Sequence, residues 1–337
     1  MTAPLVSVLL PYRDVETTID EALDGVLAER GDVLELIAID DGSVDGSAAR
    51  VAHRAAQDRR IVAVEGPGRG IAAALRLGLE VARAPEWIAR MDGDDVWVPG
   101  RLEAQVDALR AHPSLGAVGT LIEAFPDEAV AGGMRRYVAW QNALRTPDDH
   151  VRDLFVEAPL CHPSVMLRRR ALVEVGGFRD VDWPEDYDLW MRLHAAGHTL
   201  GKVDLVGLRW RQREGRLTFS DPRYGLDRHR AMKAHFLASW IGARSAHRLV
   251  VWGAGPTGRR FARALEADGR RVGGWVDIDP RKIGRLARGK AIGPPEQIDP
   301  GRDAVLVALG SEGARLQVRA HLEAHGWVEG DHFLCVS

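Results

Sequence analysis

The feature that most constrains this chain is an alternation near its start: short, mainly apolar runs separated by stretches with helical periodicity. Leu5–Leu10, Leu34–Ile39, Ile61–Val64 and Trp87–Met91 are such runs. Strands look like this when helices cover both faces of a parallel sheet. Between them, Thr17–Glu29 carries Ile19, Ala22, Leu23, Val26 and Leu27 on one face, and Gly70–Ala84 carries Ile71, Leu75, Leu79 and Ala82. Thr18 and Glu21 are spaced as a capping box, Asp45 or Ser47 can cap the next helix, and Pro99 stands where it would open a helix as its first residue. The pattern predicts an α/β fold with a doubly wound sheet. Ligands of such sheets bind beyond the carboxyl ends of the strands.

The middle is less regular. Glu123–Arg152, with Gly132, Gly133, Pro126 and Pro147, reads as loops with one or two helices. His162–Leu167 and Lys202–Arg211 read as strands, Pro184 as the start of a helix, and Pro222–Ala243 as a helix. Alternation resumes with Leu249–Trp252, a glycine turn, the helix Arg259–Ala267, and Val272–Val276 ending at Asp277. A strand over Ala304–Leu309 and a helix over Leu316–His325 follow. At 337 residues the chain exceeds what one core usually serves. Two domains are expected, 1–245 and 246–337.

A net charge of -3 gives no basic excess, which argues against a nucleic-acid partner. Cys161 and Cys335 are too few and too far apart for a disulfide framework, and suit a reducing cytoplasm. The start, Met1 to Pro11, lacks a basic leader segment and reads as a first strand rather than a signal peptide. No apolar run approaches the ~20 residues that span a bilayer, so membrane contact is expected to be peripheral at most.

Three acidic groups carry the chemistry. Asp92-Gly93-Asp94-Asp95 follows the Trp87–Met91 run. Three carboxylates in one short loop repel one another unless something positive lies there, and a hard divalent cation is the natural partner. Gly93 would let a ligand approach the backbone closely. The plainer reading is an acidic lead-in to the next helix. Asp40-Asp41-Gly42-Ser43 ends another strand and is equally readable as a capped turn. Glu185 and Asp186, after Pro184, either complement a helix dipole or supply a base.

In order, Ser7-Val8-Leu9-Leu10-Pro11, Ile39-Asp40-Asp41-Gly42-Ser43, Gly68-Arg69-Gly70-Ile71, Met91-Asp92-Gly93-Asp94-Asp95 and Pro184-Glu185-Asp186-Tyr187-Asp188 resemble the motifs of family 2 glycosyltransferases. The resemblance covers roughly the first 200 residues, and it implies the GT-A fold, a doubly wound mixed sheet. It also implies inverting transfer of a sugar from a nucleotide diphospho-sugar, a UDP-sugar by preference, to an acceptor hydroxyl. By the same resemblance Pro11 and Asp41 line the nucleoside pocket, and Arg69 and Arg76 lie in the segment that helps hold the nucleotide. Asp92 faces the ribose and the metal, Asp94 ligates Mn2+ or Mg2+, and Asp186 is the general base with Glu185 beside it. His162 stands where the family often places a polar residue near donor or acceptor. The acceptor would be a sugar, a lipid-linked sugar or a small molecule, in polysaccharide or glycoconjugate synthesis. Tyr12-Arg13-Asp14 and Leu75-Arg76-Leu77 depart from the family pattern, which affects the base and ribose contacts.

Gly253, Gly255 and Gly258 follow a strand and open a helix, with Asp277 at the end of the next strand. This spacing is a dinucleotide fingerprint and a candidate second nucleotide site. The segment resembles the small Rossmann-like domains attached to sugar O-acyltransferases and sugar methyltransferases. Two rival functions are an NAD-dependent sugar-nucleotide oxidoreductase and a non-catalytic nucleotide-sugar sensor. The first lacks a Tyr-x-x-x-Lys pair or cysteine nucleophile in that segment, and intact Asp94 and Asp186 argue against the second.

Overall fold

Buried apolar strands form the centre of an eight-stranded mixed sheet. Its strands are β1 (Val6–Tyr12), β2 (Leu34–Asp40), β3 (Ile61–Glu65), β4 (Trp87–Arg90), β5 (Val96–Trp97), β6 (Leu115–Phe125), β7 (Met166–Arg168) and β8 (Thr199–Arg211). The order is β3-β2-β1-β4-β7-β6-β8-β5. The first four are mutually parallel, β7 runs antiparallel to both of its neighbours, and β6 and β8 are parallel. This is a computed structural model that describes residues 4–29, 34–213, 215–216, 220–311 and 313–337. Residues 1–3 of the expected first strand region lie outside that range.

The chain divides into two compact units. The first comprises Met1–Val151, Pro159–Val181 and Glu185–Arg216; the second comprises Arg152–Ala158, Asp182–Pro184 and Leu217–Ser337. In the first, the helices Ile19–Leu27, Ser47–Gln57 and Ile71–Val81 connect the parallel strands. Ile19, Ala22, Leu23 and Val26 bury the expected face in a core with Leu10, Trp87, Met91 and Trp97.

Several local expectations give way to tertiary contacts. Thr18 does not close a capping box: its hydroxyl donates to the carbonyls of Val15 (3.3 Å) and Gly93 (3.0 Å), and Glu21 pairs with Arg211. Thr18 thereby ties the first helix to the acidic loop. Pro99 lies before its helix, which starts at Arg101 behind Gly100 at φ 87°. The region around residue 120 holds the eleven-residue strand β6, hidden by its small residues and by register shifts against β8. Gly132 and Gly133 open one of the helices expected in that region, Gly132–Ala143. His162–Leu167 is a 3-10 turn, His162–Ser164, followed by the short β7. Arg169 donates to the carbonyls of Ala82, Ala84 and Leu79 at the end of the helix Ile71–Val81.

The second unit holds a six-stranded sheet: β9 (Arg248–Trp252), β10 (Gly274–Val276), β11 (Leu286–Ala287), β12 (Lys290–Gly293), β13 (Asp303–Val307) and β14 (Phe333–Cys335), in the order β11-β12-β10-β9-β13-β14. All pairs are parallel except β11 with β12. The helices Pro256–Ala267 and Ala314–Ala324 bury Phe261, Leu265 and Leu322, and the helix Leu226–Gly242 groups with this unit. Arg319 joins it to the segment Arg152–Ala158 through Asp153 (2.6 Å) and also binds Glu329 (2.6 Å). Among the described residues no helix is long and apolar enough to cross a membrane.

Candidate active site

The carboxyl ends of β1, β2 and β4 converge on one edge of the first sheet. Pro11 sits late in β1, opposite Ile39. Leu9 accepts from Met91 N–H on the β4 side, whereas Tyr12 accepts from Asp41 N–H on the β2 side. The alternation of a strand points the missing donor of Pro11 toward β4, whose pairing has already stopped at Leu9↔Arg90. A proline is tolerated there because no ladder bond needs it.

Asp41, 6% exposed, follows β2 and reaches across to the helix Ile71–Val81. Its Oδ2 accepts from Gly70 N–H at 2.9 Å, and its Oδ1 is buried with no hydrogen-bond partner. Gly42 at φ 85° and Gly70 at φ 94° make the two turns that permit this reach. Arg69 and Arg76 are exposed on the segment so anchored. The loops after β1 and β2 are stitched together: Val15 N–H donates to Ser47 Oγ (2.9 Å), Glu16 N–H to Asp45 Oδ2 (3.0 Å), and Val44 N–H to Asp14 Oδ1 (2.8 Å).

Asp92, Asp94 and Asp95 each offer a carboxylate oxygen within 4.8 Å of the others, the geometry of a cation site. Gly93 between them serves packing, contrary to its expected role in ligand approach. A Cβ there would meet Tyr12 Cβ at 2.8 Å and Val15 at 3.2 Å, so the space is filled by the protein itself. Asp95 is buried; its Oδ1 accepts from Arg211 N–H (2.8 Å), while Oδ2 has no partner. Burial, then the charges of Asp94 and Asp92, push its carboxyl well above the ordinary range. The three-carboxylate set with an orphaned buried oxygen fits a hard divalent ion.

Arginines that the sequence reading did not single out balance this charge. Arg90 is fully buried in β4; Nη2 donates to Asp92 Oδ1 (2.7 Å), and Nη1 to the Leu9 (3.2 Å) and Met91 (2.8 Å) carbonyls. Arg213 Nε holds Asp94 Oδ2 at 2.7 Å, and Arg211 Nε donates to the Asp94 carbonyl. Arg101 is buried over the Trp97 ring, and burial pulls its guanidinium down to about 9. The sequence signal for Arg90 was available: a charge inside an otherwise apolar run demands a buried partner.

The helix Glu185–Ala195 begins on the two predicted acids. Asp186 is partly exposed and accepts from Tyr187 N–H at 2.7 Å; Glu185 is buried, 4.0 Å from His162 Nδ1. His162 lies between Phe178 and the edge of Trp190, with Nε2 unpartnered. Burial, then Arg90, pushes its imidazole well below the usual histidine range, so it is neutral. Cys161 links the groups: burial raises its thiol, and the charges of Asp95, Asp92 and Asp186 raise it further.

In the second unit, Gly253 takes φ 115°, and a Cβ at Gly258 would stand 1.8 Å from the Gly253 carbonyl oxygen. Both must be glycine. Gly255 meets nothing and leaves open space. Asp277 is tied down: its Oδ2 accepts from Ala254 N–H and Lys282 (each 2.9 Å), and Oδ1 from Asp279 N–H (2.9 Å).

A mixed α/β sheet with paired acid turns at its parallel strand ends defines the class, and the comparisons agree. Residues 7–176 match the family described as glycosyl transferase family 2, and the chain belongs to that family: it is a glycosyltransferase. The match spans both acid turns and ends before Glu185. Across 202 residues the chain is 32% identical to EpsE of Bacillus subtilis (strain 168), covering 58% of this chain and 69% of that protein. It is 27% identical over 199 residues to the amylovoran biosynthesis glycosyltransferase AmsE of Erwinia amylovora, covering 59% and 72%. Among solved structures, S. aureus TarS 1-349 in complex with UDP-GlcNAc has a similar fold, with a TM-score of 0.51, 15% identity, and coverage of 69% of this chain and 66% of that one.

Proposed function

We propose that the first unit transfers a sugar from a nucleoside diphospho-sugar, preferentially a UDP-sugar, to an acceptor hydroxyl with inversion, in polysaccharide or glycoconjugate synthesis. The observation that carries this reading is the convergence of the Asp92, Asp94 and Asp95 oxygens at a parallel strand end, with one buried oxygen left over. Asp94 and Asp92 would hold Mn2+ or Mg2+. When bound, such an ion neutralises charge on a leaving diphosphate.

The chain's own groups do the rest. Asp41, fixed by Gly70, faces the nucleoside with its spare buried oxygen, and Pro11 lines the same pocket. Arg69 and Arg76 offer exposed charge to the diphosphate from the same segment. Arg213 holds the Asp94 oxygen that a metal needs, so ligation of that oxygen requires Arg213 to share or release it. Asp186 takes the proton of the acceptor hydroxyl, opposite the leaving group. Glu185, next to it in the chain, packs against His162, which in turn lies against Trp190. Two free, buried cysteines suit a cytoplasmic enzyme acting on a sugar, lipid-linked or small-molecule acceptor.

The test is calorimetric titration of UDP-sugars with and without Mn2+. Donor binding is expected to need the metal and to weaken at least tenfold in Asp94→Asn. Metal-independent, unchanged binding in that variant removes the metal assignment.

A further inference from the structure

In the second unit, the glycine turn after β9 opens onto a cavity of about 470 Å³. That volume is in the range of small-molecule sites. Arg259, Arg260, Arg263, Lys282 and Arg285 line it beside Gly255, and no acidic side chain does. Lys282 is neutralised by Asp277, and Arg259 Nε donates to the Ala254 carbonyl at 2.8 Å. The guanidinium groups of Arg260, Arg263 and Arg285 have no hydrogen-bond or ion-pair partner among the described residues. Two nearby arginines, by contrast, sit against acids: Arg281 on Asp279 and Arg288 on Glu266. Three guanidiniums kept without acids around one concavity repel one another and create a positive field focused by its walls.

The cavity and its cations carry the inference, and the backbone adds to it. The helix Pro256–Ala267 starts at the cavity with a proline, and its first turn leaves the N–H groups of Thr257 and Gly258 without acceptors inside the helix. Gly255 keeps the approach to them open.

Asp277 narrows the kind of ligand. A dinucleotide fingerprint uses an acid at this position to accept ribose hydroxyls. Here the carboxylate is 6% exposed and already accepts from two backbone N–H groups and a lysine. It fastens the turn, and recognition must come from the phosphate side. Two linked phosphates carry roughly three negative charges near neutral pH, by extension from a single phosphate group, which matches three unpaired guanidiniums better than one phosphate does.

We propose that this cavity binds a diphosphate-bearing small molecule through Arg260, Arg263 and Arg285. The site is separate from the donor site of the first unit and does not rest on its chemistry. Its source is either free pyrophosphate or a nucleoside diphosphate, and the experiment distinguishes them. Full-length protein carrying Asp94→Asn, in EDTA to suppress the first unit's site, is titrated with inorganic pyrophosphate and with UDP. The same is done after adding Arg263→Glu and Arg285→Glu, both at exposed positions. One-to-one binding, weakened at least tenfold by the two reversals with an unchanged circular dichroism spectrum, is expected. Tighter binding of UDP than of pyrophosphate adds a base contact to the site, and equal binding leaves the diphosphate alone as the recognised group. Absence of binding, equal binding after the reversals, or equal competition by sulfate would overturn the proposal. Should the double variant misfold, Arg260→Gln is read in its place against the same outcomes.

Discussion

At the end of β4 and at the end of β9 the chain makes short glycine turns beside aspartates, and the two leave opposite charges unbalanced. After β4, Asp92, Asp94 and Asp95 crowd together, and Asp95 keeps a buried oxygen with no partner. Arg90, Arg211 and Arg213 offset the cluster without saturating it. After β9, the aspartate at the neighbouring strand end is used up by two amides and Lys282, and the arginines nearby are left over. The sequence pattern is similar in both places. What a site attracts is set by the charge that remains after internal bonds are counted: a cation in the first unit, an anion in the second.

Breaking this contrast starts with the residue expected to matter most to turnover. Asp186→Asn should fold and bind donor, while transfer falls by about 10²–10⁴, the usual worth of a general base. A product assay beside donor calorimetry separates the two, and normal turnover would strip Asp186 of its role. In the second unit an aspartate of similar appearance should behave oppositely. Asp277→Ala removes the acceptor for Ala254 and Asp279 and strands Lys282, at a cost of roughly 2–4 kcal/mol. Chemical denaturation measures it, and a loss within error would mean that Asp277 is available to a ligand after all.

The smallest effect tests the rule inside the first unit. Glu35 is that unit's own saturated carboxylate: it accepts from Ser7 Oγ, Arg83 N–H and Arg83 Nε. Burial pushes its carboxyl up, but the bonds from Ser7 and Arg83 outweigh this and hold it below its ordinary value of 4.5. Its folded state therefore binds the proton less readily than the unfolded chain. The stability this confers is complete above pH 4.5 and is lost as pH falls below it. Glu35→Gln should flatten the acid limb of the stability curve while leaving donor binding intact; an unchanged limb would show that saturation at Glu35 has no such consequence.

Much of this was legible in sequence wherever burial forced a mainly apolar run. β1 to β4 and β9 announce themselves in that way, and their ends place Asp41 and Asp92 to Asp95 at one edge without further information. β6 was not legible. It mixes Gly116, Gly119 and Thr120 with apolar residues, because Leu160 and His198 pack into the space that larger side chains would fill. The short strands β5, β11 and β12 are made by their partners and have too few residues to show a period. Thr18 illustrates the same limit: its spacing to Glu21 fits a local cap, but Gly93, far away in sequence, competes for the hydroxyl.

By itself, the sequence determined the alternating α/β plan, the strand ends on which the acids stand, and the membership of a family that transfers sugars. Periodicity and burial are local properties, and motif order survives in one dimension. The tertiary structure alone decided which charges remain unspent. Arg213 reaches Asp94, and Lys282 reaches Asp277, because of folding. A carboxylate's availability depends on every donor within hydrogen-bond reach, most of them distant in the chain.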